Sequence, residues 1–210
     1  MCIRDRNRTE EDFVANTINN MKEIPKIKYI ITLDSDTNLI LNSAFELIGT
    51  MEHILNKPIL KGGVVIEGHG IIQPKVGIDL KEAEKSWFSR IFAGSAGTDL
   101  YTNAISDFYQ DNFGEGIFTG KGIYELNTFY NVMKNAIPEY TVLSHDLLEG
   151  SYLRCGLATD VLLMDGYPSK FMSFTTRQNR WIRGDWQICN WLCKNIRNEK
   201  NERIRNPINK

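Results

Sequence analysis

The chain has 210 residues, 42% of them hydrophobic, and a formal net charge of −1 at pH 7. That is enough apolar matter for one sizeable core, and the near-neutral balance excludes the global basic field that advertises nucleic acid. No apolar run approaches the length of a membrane span, and the opening residues show no charged-then-apolar leader.

In chain order, the head "MCIRDRNRTEED" is polar and offers no strand. Phe13, Val14, Thr17, Ile18 and Met21 then lie at helical spacing, and Pro25 stops that helix. Tyr29 to Leu33 is β-branched and aromatic, reads as a strand, and runs into Asp34-Ser35-Asp36-Thr37. Two carboxylates at i and i+2 on a strand's carboxyl end can face one crevice, where their repulsion calls for a divalent cation. The same four residues are all helix N-cap types, so a plain cap fits this stretch equally well. Ile40, Ala44, Leu47, Ile48, Met51 and Leu55 follow the spacing of an amphipathic helix, ended by Asn56-Lys57-Pro58. "KGGVVIEGHGIIQPKVGI" gives two short strands, and the alternation of helix and strand argues for an α/β layered domain.

The middle of the chain is rich in aromatics and glycine, which suits loops lining a site over a scaffold. Its densest part, "GEGIFTGKGIY", is no phosphate loop, because Gly122 follows Lys121 where Ser or Thr is needed. "LSHDLLEG" places Ser144, His145 and Asp146 at the start of a helix carrying Leu147, Leu148 and Tyr152 inward. Thr159 to Met164 is a further strand, Pro168 a break, and "SFTTRQNRWIRGDWQICNWL" a helix with Trp181, Trp186, Trp191, Arg177, Arg180 and Arg183. Guanidinium forks suit phosphates and indoles suit sugar rings, although an aromatic helix with solvated arginines would look the same. The tail from Lys194 is polar and basic, and reads as a solvated, fraying end. Of the cysteines (Cys2, Cys155, Cys189, Cys193) none forms a CxxC pair. Cys189 and Cys193 read as core thiols, and a reducing cytosol fits. His53, His69 and His145 are too scattered to suggest zinc by spacing.

A strand ending in DxD also opens the haloacid dehalogenase-type phosphatases, but that pattern wants Thr two places after the second Asp, where this chain has Asn38. A binding module would explain aromatics and arginines without requiring the aspartate pair. The order Asp34-x-Asp36, Ser144-His145-Asp146 and Arg177-x-x-Arg180-Trp181 resembles the metal, base and "[QR]xxRW" motifs of family 2-like processive glycosyltransferases. The stretches "YIITLDSDTNL", "GIIQPKVG", "RIFAGSAGTDLY", "SDFYQDNFGEGIFTGKGIY", "LSHDLLEG" and "RQNRWIRGDWQ" together resemble the glycosyltransferase domain of cyclic β-1,2-glucan synthases, glycosyltransferase family 84, over about residues 25 to 192.

That resemblance implies a GT-A-like α/β fold, a mixed sheet flanked by helices, using UDP-glucose and a β-glucan acceptor and no nucleic acid. It implies an inverting hexosyltransferase in which Asp34 and Asp36 hold Mg²⁺ or Mn²⁺ and Asp146 is the base for the acceptor 2-hydroxyl. Arg177 and Arg180 would face the donor diphosphate, Trp181, Lys121 and Gly120 the acceptor, and His145 would orient the base or approach the metal. The family's pattern often has Glu-Asp where this chain has His145-Asp146, and Gln where it has Arg177. Another inverting β-glycosyltransferase with a different sugar or linkage is the alternative, as is an incomplete carbohydrate- or nucleotide-binding fragment. On this reading residues 1–24 are a partial head, 25–193 a partial catalytic domain without the family's first nucleotide-binding strand, and 194–210 a tail toward a membrane region. The piece is expected to be soluble and inactive alone, and the parent to be a membrane-embedded protein with a phosphorylase-like domain, working at the cytoplasmic face of an inner membrane.

Overall fold

The computed structural model describes residues 26–93, 104–138 and 140–209, with only the backbone for 104–107. The helix expected over 13–21, the polar head, and most of "AGSAGTDLY" lie outside the described residues.

A five-stranded mixed sheet organises the chain, in the order β1 (Tyr29–Thr32), β6 (Gly122–Glu125), β5 (Ile71–Ile78), β7 (Gly156–Asp165), β2 (Thr37–Leu39). Only β5 and β7 run parallel; β1 with β6, β5 with β6, and β2 with β7 are antiparallel. Two small hairpins stand apart, β3 (Ile59–Lys61) with β4 (Val64–Glu67), and β8 (Asn195–Arg197) with β9 (Arg203–Arg205).

Successive strand residues face opposite sides, and the core divides accordingly. Ile72, Ile123, Ala158 and Val161 pack against Leu47 and Met51 of α1 (Ser43–Glu52) on one face. Ile71 and Tyr124 join Phe118 and the buried sides of α5 (Leu126–Met133) and α6 (Asp146–Leu153) on the other. The sheet is therefore a middle layer between helices, which the α/β pattern anticipated. Short α2 (Leu80–Ala83) and α3 (Trp87–Phe92) follow β5, α4 (Ala104–Phe113) precedes β6, and long α7 (Phe171–Gln187) follows β7.

Register brings several strand termini together at one end of the sheet. Thr32 pairs with Gly122, Thr37 with Asp165, and Ile78 with Asp165. The carboxyl ends of β1, β5 and β7 thus meet the start of β6 and β2. Gly122 has to be glycine here, because a Cβ would stand 2.2 Å from the Ile72 carbonyl oxygen.

Several expectations change. None of Asp34, Ser35, Asp36 or Thr37 caps a helix: the chain turns there, forms β2, and starts α1 after Asn42. The second strand of "GGVVIEGHGIIQPKVGI" is eight residues long. Cys189 and Cys193 are exposed, and Cys155 is the core thiol, its pKa driven far up by burial. The tail is folded rather than frayed. Ile196 is buried, and the Asn206 amide donates to the carbonyls of Trp191 (2.5 Å) and Cys193 (3.0 Å), a local polar lock that apolar periodicity cannot reveal.

Candidate active site

The turn after β1 carries the first two candidate carboxylates. The Thr37 N–H donates to the Asp34 carbonyl at 3.1 Å, closing a tight loop that leaves Asp34 and Asp36 at the surface. From the start of β6, Lys121 reaches this turn. Its ammonium lies 3.0 Å from Asp34 Oδ2 and 2.9 Å from Asp165 Oδ2, while the residue itself is 5% exposed. Burial works against a charged lysine, but the carboxylates of Asp165 and Asp34 outweigh it and raise the Lys121 pKa. Lys121, expected at the acceptor, has its ammonium on two carboxylates.

Gly120 joins the turn to the third carboxylate. Its φ of +91° favours glycine, and a Cβ there would stand 3.2 Å from Asp146 Oδ2. Asp146 is the first residue of α6 and accepts a hydrogen bond from Ser144 Oγ at 2.9 Å. His145 Nδ1 lies 2.7 Å from the buried Glu149 carboxylate, one turn on, and that contact raises the His145 pKa against the opposing effect of burial. His145, Asp146 and Glu149 each offer a ligand atom within 4.8 Å of the others.

Helix α7 spans both halves. A Cβ on Gly184 would stand 3.2 Å from that of Ser144, and Gln187 Oε1 accepts from the Leu143 N–H at 2.7 Å. Arg177, two turns earlier on the same face, stacks its guanidinium on Trp181 at 4.6 Å. Its charge opposes the upward push of burial on the Tyr167 phenol, and Phe174 of the same helix lies with its ring 6.3 Å from that of Tyr167. Tyr167 adjoins Gly166, whose N–H donates to the Asp36 carbonyl at 3.1 Å and whose Cβ, if present, would touch the Asp36 side chain. Contacts therefore run from Asp36 through Gly166 and Tyr167 to the Phe174 ring on α7, along that helix past Arg177 to Gly184, then through Ser144, Asp146, Gly120 and Lys121 to Asp34. Arg180 and Trp181 stand exposed on α7.

The carboxylate oxygens around the Asp34 turn are of the chemical type a hard divalent cation takes, while among the described residues the group with ligand atoms all within 4.8 Å of one another is His145, Asp146 and Glu149. Three carboxylates (Asp34, Asp36, Asp165) and one ammonium leave two net negative charges beside an open surface. Asp165 and Glu149 belong to none of the three short motifs Asp34-x-Asp36, Ser144-His145-Asp146 and Arg177-x-x-Arg180-Trp181. Asp165 had a readable signal, an acid closing an apolar strand as Asp34 does. Glu149 has no signal of its own in the sequence; the fold buries it one turn after His145.

No protein-family model matches the chain. Cyclic beta-(1,2)-glucan synthase NdvB of Rhizobium meliloti (strain 1021) is 43% identical over 169 residues, which is 79% of this chain and 6% of that protein. The chain is thus related by sequence to a glucan synthase, of whose length it spans a small part.

Proposed function

We propose that the chain contributes the catalytic carboxylates of an inverting GT-A-type glycosyltransferase that moves glucose from UDP-glucose to the 2-hydroxyl of a β-1,2-glucan. The observation that supports this reading is the chain of contacts that links Asp34 through Lys121 and Gly120 to Asp146, and Ser144 beside it to α7, the helix that carries the Arg177–Trp181 stack. The relationship to a protein named as a cyclic beta-(1,2)-glucan synthase supports the substrate class.

UDP-glucose is an α-glycoside and the product linkage is β, so one in-line displacement inverts the anomeric carbon. Such a step needs a base on the acceptor hydroxyl and a sink for charge on the departing diphosphate. Asp146 is the base in this reading, oriented by Ser144 Oγ and backed by the Gly120 backbone. Asp34 and Asp36 would hold Mg²⁺ or Mn²⁺, which when bound neutralises charge on the leaving diphosphate. Arg177 and Arg180 supply further positive charge, and Trp181 offers an apolar platform for a sugar ring. Among the described residues no helix is long and apolar enough to cross a membrane. An inner-membrane setting with a phosphorylase-like domain remains part of the proposal for the parent protein.

The test is product analysis. The complete protein containing this chain, given UDP-[¹³C]glucose and Mn²⁺, should yield β-1,2-linked glucan by NMR. A different linkage would reassign the acceptor chemistry to another inverting transferase, and a retained α-anomer would overturn the mechanism.

A further inference from the structure

Asp165 belongs to none of the motifs that carried the functional reading, yet it holds the aspartate turn at both ends. The residue closes β7 and is 6% exposed. Its Oδ1 accepts from Thr37 Oγ1 at 2.5 Å, and its Oδ2 lies 2.9 Å from Lys121 Nζ. Lys121 in turn reaches Asp34 Oδ2 at 3.0 Å. The next residue, Gly166, donates its N–H to the Asp36 carbonyl. One strand end therefore engages Asp34 through Lys121, Asp36 through Gly166, and Thr37 directly.

The electrostatics have a direction. An ammonium given wholly to Asp34 would neutralise it and compete with any cation there. Shared with a second, more buried carboxylate, the same ammonium leaves Asp34 part of its charge. A buried ion pair contributes little to stability compared with apolar residues of the same shape, so such a pair fits a task of placing charge better than one of holding the fold. We propose that Asp165 is a positioning residue for the aspartate turn: it fixes the turn's geometry and shares the Lys121 ammonium with Asp34, so that Asp34 and Asp36 keep negative charge available to a divalent cation. This rests on reading those two aspartates as cation ligands.

The test titrates Mn²⁺ alone into the 210-residue chain, with free Mn²⁺ read by electron paramagnetic resonance. Asp165→Asn should weaken binding at least fivefold, while Lys121→Gln should tighten it at least threefold by uncovering negative charge. Thr37→Val, which removes a hydroxyl contact alone, should shift affinity less and in the direction of Asp165→Asn. Loss of structure would weaken all three, so opposite signs for Asp165 and Lys121 separate charge sharing from scaffolding. Equal signs, or no change at Asp165, would overturn the charge-sharing role. Hydrogen exchange on the same proteins reads the turn without metal. The amides of Thr37 and Gly166 should exchange at least tenfold faster in Asp165→Asn, while those of Ile123 and Leu163 stay protected and show the core folded; a change under twofold at the turn would overturn the positioning role. Absence of Mn²⁺ binding by the unmodified chain would overturn the cation reading and the charge sharing with it, leaving exchange to decide whether Asp165 holds the turn.

Discussion

Lys121 Nζ lies 2.9 Å from Asp165 and, on its other side, 3.0 Å from Asp34, so one buried ammonium ties the end of β7 to the turn after β1. Removing it leaves a nearly buried carboxylate without its cation. Lys121→Met should cost about 3 kcal/mol at neutral pH, the low end for breaking a buried pair because Asp34 is half exposed and water screens it. Urea denaturation measures this, and a loss under about 1 kcal/mol would show the pair to be solvated.

Asp146 and Ser144 make a graded pair. In the complete protein, Asp146→Asn should lower turnover by about 10²-fold or more while UDP-glucose binding persists. Ser144→Ala removes the 2.9 Å hydrogen bond that orients the carboxylate, and should cost about tenfold. Steady-state kinetics with a separate donor-binding measurement distinguish the two; normal turnover by Asp146→Asn would move the base elsewhere. Asp36→Ala should instead remove metal-dependent nucleotide binding, read by calorimetry.

The His145–Glu149 contact sets a pH dependence. The folded state raises the His145 pKa above its usual 6.5, so it binds the proton more tightly than the unfolded chain does. The resulting stabilisation is fully present below about pH 6.5 and disappears as pH rises through the elevated folded value. Glu149→Gln removes it. Denaturation curves of the two proteins should therefore differ more at pH 6 than at pH 9, beyond any constant offset from the buried amide.

Gly184 separates fold from function. Alanine is the better helix former by about 1 kcal/mol, but its Cβ would press on Ser144 at 3.2 Å. Gly184→Ala should leave thermal stability within a few degrees of the unmodified protein and lower turnover severalfold by displacing the Ser144–Asp146 segment. A stability loss with unchanged kinetics would mean that Ser144 does not orient the base.

The sequence made the elements with strong periodicity legible. The apolar strand before Asp34, the helix around Leu47 and Met51, and the long arginine–tryptophan helix all have the structure their patterns imply. Other features depend on partners distant in sequence. Strand β2 is three residues long and exists because Asp165 and Met164 lie opposite it. The C-terminal hairpin closes on asparagine side chains, which periodicity does not register. Cys189 and Cys193 sit among aromatics in sequence but on the outer surface after α7 ends. At the site, the motif residues were readable because strand ends and helix starts expose short polar side chains. Their bridging by Lys121 could not be read, since it follows from the pairing of Thr32 with Gly122 across the sheet.

Paramagnetic broadening by Mn²⁺ with UDP, read on amide NMR signals of this chain, tests most directly whether these distant residues share one crevice. The amides of Asp34, Asp36, Lys121, Asp146 and Gly166 should broaden together at low Mn²⁺, while those of the polar groove at Asn135, Glu199 and Asn201 stay sharp. Broadening confined to the Asn135 groove, or reaching Asp34 without Asp146, would contradict a single sugar-nucleotide site.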